Sequence, residues 1–216
     1  MTALVAPAAD SHAFGGAVPR DTLRSRRAAA MRAIADQDTY LPYMLTQDDS
    51  VLKRWPDRVD RPLTVYLPDG AVPGFSPAMA EAAKNAFGRW ERVADIPVQF
   101  RFVNDSANAD VQVRWIQSFA MKRTGQADLV WRRDGWLQSG SLTLATHTQD
   151  GDLLTADAVY TVALHEIGHL LGLDHSDDSA DVMYQSTEIH DITARDRRTA
   201  RWLYSIPPGS YRAVNR

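Results

Sequence analysis

Five stretches of the chain are predicted to be β-strands, and in three of them apolar and polar residues alternate with the period of two of a half-buried strand. In the first stretch, Leu63, Val65 and Leu67 lie on one face and the residues between them lie on the other. The turn sequence Pro-Asp-Gly follows directly and would end the strand. The predicted strands cover residues 63–67, 98–102, 111–115, 127–131 and 140–146.

Four other segments carry the signals of helices. Residues 21–36 have helix-forming composition with apolar residues at helical spacing. A second helix begins after Ser76, because Pro77 fits the first helical turn, and its apolar face continues to Val93. The last two helices are predicted to begin at capping residues, which are Thr155 or Asp157 for one, and Thr193 with Asp196 three residues later for the other.

Residues 165–175, His-Glu-Ile-Gly-His-Leu-Leu-Gly-Leu-Asp-His, carry the most specific chemistry in the chain. His165 and His169 are four residues apart, so on a helix both imidazoles project from one face and can bind one ion. Gly172 can end that helix in a left-handed conformation, which would let His175 return as a third nitrogen ligand. Unrelated histidines on an amphipathic helix are the alternative, but a chance match at these offsets is on the order of one in 100,000.

This spacing predicts a catalytic zinc site. Three histidines leave the fourth position of a tetrahedral zinc ion free for water and substrate, and an open position is typical of catalysis. Glu166 directly follows the first ligand, which places its carboxylate beside the metal, where it can accept a proton from water. We therefore expect one catalytic zinc ion, with Glu166 as the general base and with three metal ligands, His165, His169 and His175.

The residues after this motif resemble a metzincin zinc metallopeptidase of the matrixin branch. Met183 lies eight residues past His175, in the sequence Asp-Val-Met-Tyr, and Ser176 directly follows the third histidine. By this resemblance, Met183 supports the metal site from a Met-turn without taking part in the chemistry. The chain has Gln185 where the matrixin pattern usually has proline, so the specificity pocket is expected to differ in shape.

The resemblance also implies a fold and a substrate class. The fold would be α+β and zincin-like: a twisted, mostly parallel five-stranded sheet with an antiparallel edge strand, packed on two long helices, with a C-terminal helix after the Met-turn. The activity would be hydrolysis of peptide bonds in proteins, by a minimal, bacterial-type member that works outside the cytoplasm. A peptide would add to an edge strand, for which residues 141–145 are candidates. The expected cleft or pocket residues are Leu142, Thr143, Leu144, Tyr184 and Gln185.

The chain divides into an N-terminal extension, a catalytic domain and a tail, which we place at residues 1–52, 53–206 and 207–216. Residues 1–19 are rich in Ala, Gly and Pro; we expect them to be mostly disordered and find no clear secretory signal in them. The extension could pack on the domain or act as a short propeptide over the cleft. In the second case a carboxylate would bind the zinc, and the candidates are Asp36, Asp38, Asp48 and Asp49.

Charge and cysteine content indicate which kinds of partner the chain can have. The net charge of −3 gives no reason to expect nucleic acid, and no apolar run is long enough to span a membrane. There is no cysteine to form a disulfide or to hold a propeptide on the zinc. We expect a monomer whose partners are protein or peptide substrates.

Some alternatives stay open. His147, Asp150 and Asp152 could hold calcium or a second zinc, as in animal matrixins, but no clear calcium motif is present and the Gly-Asp sequence there favours a solvated turn. In place of a general protease, the chain could be a zinc-containing peptide-binding module or a latent zymogen. It could also be an enzyme that cleaves only its own N-terminal arm.

Overall fold

The computed structural model of the protein describes residues 20–47 and 50–212, which contain five helices and seven strands. The expectations of disorder and of a missing secretory signal concern residues 1–19, which lie outside the described residues. In chain order the elements are α1 (Arg20–Ala35), α2 (Leu41–Met44), β1 (Val51–Leu52), β2 (Arg58–Tyr66), α3 (Pro77–Val93), β3 (Val98–Val103), β4 (Val111–Ile116), β5 (Gly125–Trp131), β6 (Leu137–Ala145), α4 (Ala156–Leu170), α5 (Ala194–Ser205) and β7 (Gly209–Ser210).

Five of the strands form one mixed sheet, in the order β3-β2-β4-β6-β5. Strand β2 runs parallel to both β3 and β4, and β4 runs parallel to β6. Strand β5 is antiparallel to β6. The five predicted strands are confirmed, and so is a mostly parallel sheet with an antiparallel edge strand.

The antiparallel edge strand is β5, so the prediction that residues 141–145 form the edge is wrong. These residues belong to β6, which pairs with β4 on one side and with β5 on the other. A short turn connects β5 to β6, and in it the Gly135 N–H donates to Arg132 O at 2.8 Å. Because so short a connection makes neighbouring strands antiparallel, β5 covers the side of β6 that would otherwise be exposed.

The two long helices, α3 and α4, pack against each other and against the sheet. Trp90 of α3 and Trp55, which precedes β2, are fully buried. Each indole N–H donates to a backbone carbonyl of α4 at 2.8 Å, Trp90 to Leu164 O and Trp55 to Leu170 O. Two buried rings with satisfied donors therefore hold α4 at its middle and at its end. The pair of long helices was predicted and is confirmed; none of the helices in the described ranges is long and apolar enough to cross a membrane.

The N-terminal segment and the end of the chain pack on the same hydrophobic core as the sheet and helices. Helix α1 confirms the helix predicted over residues 21–36, and Ile34 in its last turn is fully buried. Strand β1 pairs with β7, which places Leu52 opposite Gly209. The pairing joins the last residues of the predicted N-terminal extension to the predicted C-terminal tail. The division into domains itself stays a prediction. The elements α2, β1 and β7 were not predicted, because segments of two to four residues are too short to show a period.

Candidate metal centre

Helix α4 begins and ends as its sequence predicts. Its N-cap is Thr155, whose hydroxyl accepts from Ala158 N at 3.1 Å. At the other end, Gly172 has φ +95°, and its N–H donates to His169 O while the Leu173 N–H donates to Gly168 O. This pair of bonds is a Schellman motif. A Cβ at position 172 would lie 2.0 Å from a backbone oxygen, so both the conformation and the space require glycine.

The turn brings the three predicted metal ligands together. His165 Nδ1 lies 2.8 Å from Val182 O, and His169 Nδ1 lies 2.9 Å from Leu173 O. A carbonyl oxygen only accepts, so each Nδ1 carries the hydrogen and each Nε2 presents a lone pair. The two Nε2 atoms are 3.1 Å apart. His175 completes the group, and the ligand atoms of all three histidines lie within 4.8 Å of one another.

This group of atoms fits a zinc ion. Zinc–nitrogen bonds of about 2.0–2.1 Å in tetrahedral geometry separate the ligand nitrogens by about 3.3 Å. The Nε2 atoms of His165 and His169 are already close to that separation at 3.1 Å. A shift of His175 by about 1–2 Å would bring the third nitrogen to the same separation. Three neutral imidazoles are also a donor set that zinc prefers.

Burial favours the neutral form of the three rings that metal binding requires. Desolvation is the largest cause of the lowered pKa of each histidine. The pKa of His169 falls to about 3, because burial is reinforced by the proximity of His165 and His175. The imidazoles therefore present free lone pairs at neutral pH without first having to lose a proton.

Glu166 is buried beside the triad. Its side chain lines a cavity of about 670 Å³ together with His165, His169 and His175. Burial raises the pKa of Glu166 to about 7, and a hydrogen bond from the backbone of Ala127 opposes this rise. A carboxyl group that is not a member of the ligand cluster but opens into the same cavity has the position that a general base needs.

The Met-turn lies beneath these residues. Met183 is completely buried and lies directly against Gly168, since a Cβ built on that glycine would be 2.2 Å from Met183 Sδ. The backbone of the turn is held on both sides: Met183 O accepts from Ser176 N at 2.8 Å, and Val182 O accepts from His165 Nδ1. Met183 is thus placed where it can support the helix that carries two of the ligands.

The structure separates the five predicted cleft residues into two groups. Gln185 lines the large cavity, and both Tyr184 and Gln185 line a smaller cavity next to His175. Leu142 and Leu144 of β6 are instead buried in the core. Neither they nor Thr143 line these two cavities or a third one, which includes His169 in its wall. The prediction for these three is therefore wrong, and the reason is that β6 lies inside the sheet rather than at its edge.

Sequence analysis missed most of the cavity wall. A third cavity, of about 410 Å³, lies between β5 and the N-terminal segment and includes His169 in its wall. The wall of the large cavity is formed by the loop before β5, the start of β5, one face of α4 and the segment after the Met-turn. The missed residues are Met121, Lys122, Arg123, Thr124, Gly125, Gln126, Ala127, Thr161, Val162, Ser186, Thr187 and Glu188 in the large cavity, and Met44, Gln47, Val51, Leu52 and Lys53 among those of the third.

The other candidate metal-binding carboxylates do not join the triad. Asp38 pairs with Arg198 and, at 3.5 Å, with Arg195, and neither Asp36 nor Asp38 belongs to the ligand cluster. Asp48 and Asp49 lie outside the described residues. In the loop predicted as a solvated turn or an ion site, Thr148 N–H donates to Asp152 O at 2.8 Å. Within the described ranges the histidine triad is the group that brings three ligands together.

Comparisons with known proteins agree with this geometry. The family model for matrixins matches residues 76–205, which is more than half of the chain. "Metalloendoproteinase 1" of Glycine max is 28% identical over 181 residues, covering 73% of this chain and 54% of the relative. "Metalloendoproteinase 1-MMP" of Arabidopsis thaliana is 33% identical over 145 residues, covering 58% of this chain and 37% of the relative.

The chain thus spans about half of the soybean protein and less of the Arabidopsis one. Both relatives are plant proteins, so the expectation of a bacterial-type member stays a prediction. The region matched by the family model contains α3, four of the five strands of the sheet, the histidine triad and the Met-turn. On that match, the chain belongs to the matrixin family of zinc metallopeptidases.

Proposed function

We propose that the chain is a zinc-dependent metalloendopeptidase, in which His165, His169 and His175 hold one zinc ion and Glu166 is the general base. One observation carries the proposal. The Nδ1 atoms of His165 and His169 are fixed on backbone carbonyls, their Nε2 atoms lie 3.1 Å apart, and the Glu166 side chain opens into the same cavity. Ligands and base are therefore held in one place before any substrate arrives.

The chemistry divides between the metal and the protein. A bound zinc would lower the pKa of water and polarise the scissile carbonyl. Glu166 accepts the proton that water loses on attack and returns it to the leaving amine. The hydrogen bond with the Ala127 backbone keeps the carboxylate turned toward the cleft and links it to β5, where we expect the substrate to bind.

The edge strand supports a peptide as the substrate. Strand β5 pairs with β6 on one side only in the described sheet, and its first three residues, Gly125, Gln126 and Ala127, line the cavity. An extended peptide can add to such an edge by backbone hydrogen bonds, while side-chain pockets select the sequence. We propose a protein or peptide substrate, a monomeric enzyme, and work outside the cytoplasm, the last by family resemblance.

Cleavage of a quenched-fluorescent peptide library by the zinc-loaded full chain tests the proposal. Glu166→Gln keeps the shape of the side chain but removes the base, so zinc binding should persist while kcat/KM falls by about 10²- to 10⁴-fold. The matched control is Glu81→Gln, because Glu81 is an exposed residue of α3 that pairs with Lys84. This variant should cleave like the wild type.

Two results would refute the proposal. If Glu166→Gln cleaved at the wild-type rate, Glu166 would not be the base. If the zinc-loaded wild type cleaved no peptide, the chain would instead be a peptide-binding module or a latent zymogen.

A further inference from the structure

Arg195, the second residue of α5, connects segments that surround the metal centre. Its side chain is only 19% exposed. Nη1 donates to Ser176 Oγ at 2.9 Å and to Asp181 Oδ2 at 2.6 Å, and Nη2 donates to Asp177 Oδ1 at 2.7 Å. Nε lies 3.5 Å from a carboxylate oxygen of Asp38. One guanidinium thus closes the loop that follows His175, since it binds both the start and the end of residues 176–181.

This loop has a particular importance for His175. The rings of His165 and His169 are each fixed by an Nδ1 hydrogen bond, whereas no hydrogen bond of the His175 ring is found among the described residues. Only the backbone of His175 is held locally, by a bond from its N–H to Asp174 Oδ1 at 2.8 Å. The position of the third ligand therefore depends on how firmly its loop is held.

The loop contains charges that require a cation. Ser176 and Asp181 are 3% and 2% exposed, and Ser176 Oγ donates to the Asp181 carboxylate. Asp177 adds a second carboxylate to the loop, and the buried Asp196 of α5 shares with Asp181 the hydroxyl of Thr193. A planar guanidinium can bind two carboxylates and a hydroxyl at once, which the single ammonium of a lysine does less well. Without it, the carboxylates would repel one another and the loop would open.

We infer that Arg195 is a positioning residue of the metal centre, which holds residues 175–177 against the Met-turn so that the third histidine stays within reach of the ion. The inference rests on the proposed function, because it assumes that the triad binds zinc. Arg195 contacts neither the ion nor the substrate in this role, and it acts through Ser176, Asp177 and Asp181.

The test compares Arg195→Met with Arg198→Met in the full chain. Arg198 is on the same helix and pairs with Asp38, but it makes no hydrogen bond or ion pair with residues 176–181. The zinc dissociation constant is measured by competition with a chelator, and the unfolding temperature is measured with and without zinc. Arg195→Met should bind zinc about 10- to 100-fold more weakly, the range typical when the outer-shell contacts that orient metal ligands are disturbed. Arg198→Met should stay within about twofold of the wild type.

The zinc-induced rise in unfolding temperature separates positioning from a purely structural role. A structural role would lower the unfolding temperature equally with and without zinc, whereas a positioning role also reduces the rise, because weaker binding stabilises less. Arg195→Lys, which restores one charge but not the planar fork, should recover part of the zinc affinity.

Each outcome decides the inference. A folded Arg195→Met protein with wild-type zinc affinity would overturn it. If Arg195→Met does not fold, Asp177→Ala replaces it, since it removes the acceptor for Arg195 Nη2 and leaves the bond to Asp181; unchanged zinc affinity in that variant would overturn the inference equally. A wild-type chain that binds no zinc would refute the proposed function itself, and the inference with it.

Discussion

Replacing Gly168 by alanine should destabilise the protein, although helix propensity predicts the opposite. Gly168 lies inside α4, between two metal ligands. In a helix interior, glycine is less favourable than alanine by about 0.5–1 kcal/mol. A reader of the sequence alone would therefore expect Gly168→Ala to stabilise the chain.

The packing around Gly168 reverses this sign. The added Cβ would lie 2.2 Å from Met183 Sδ and 3.1 Å from Trp90 Cζ2. Met183 is fully buried, so it cannot move out into solvent, and Trp90 is held by its indole bond to Leu164 O. Overpacking of this kind costs about 1–3 kcal/mol. After the gain in propensity is subtracted, the net loss should be about 1 kcal/mol, or about 2–4 °C in unfolding temperature.

Urea denaturation of the metal-free protein measures this effect, with Gly88→Ala as the matched control. Gly88 is inside α3, and its added Cβ would meet only the end of the exposed Arg92 side chain, at 2.9 Å. That side chain can swing away, so Gly88→Ala should stabilise by about 0.5–1 kcal/mol. The two variants should thus shift the midpoint in opposite directions. If Gly168→Ala stabilised the protein as much as Gly88→Ala, the account of the contact between α4 and the Met-turn would be refuted.

Two further substitutions test a buried hydrogen bond at the end of α4 and an exposed ion pair between α3 and the segment before α5. Tyr204→Phe removes a buried hydroxyl that donates to Leu171 O at 3.0 Å, so the free energy of unfolding in urea should fall by about 1–2 kcal/mol; an unchanged midpoint would contradict this. Arg89→Met removes the pair with Asp191, which is 54% exposed, so its cost should be below about 1 kcal/mol and should vanish in high salt. Because the hydrogen bond from Arg89 lowers the pKa of Asp191, this stabilisation exists above the ordinary aspartate pKa of about 4 and is lost as the pH falls below it. A cost that persists at a pH below the lowered pKa of Asp191 in the folded protein would contradict the ion-pair account.

The features that the sequence predicted depend on neighbours close along the chain. His165 and His169 are one helical turn apart, so their common face follows from helix geometry alone. The left-handed turn at Gly172 and the cap at Thr155 each involve residues within a few positions. The spacing of apolar residues in a strand or a helix also depends only on residues close along the chain. These signals were enough for the five strands, the long helices and the grouping of the three histidines.

The features that could not be predicted depend on which distant segments meet. The choice of edge strand depends on whether β5 or β6 has a free side, and the residue pattern within a strand does not say which neighbours that strand pairs with. The walls of the large and third cavities likewise bring together Met44, Ala127 and Thr187, which are far apart along the chain and have no common spacing. Arg195 is one of many charged residues in the sequence, and only the fold shows that its partners surround the third ligand.

Asp196 shows how a local motif can conceal a tertiary role. The sequence predicts it as the partner of Thr193 in a capping box, and that box is present. The same carboxylate also accepts from Val182 N at 3.0 Å and from Tyr40 Oη at 3.2 Å, partners that lie 14 and 156 residues away. Since Val182 O in turn accepts from His165, one side chain both starts α5 and holds the residue whose carbonyl orients a proposed metal ligand. A capping box already explains an aspartate at a helix start, so nothing in the sequence requires a further partner, and the link between α5 and the metal centre becomes visible only in the folded chain.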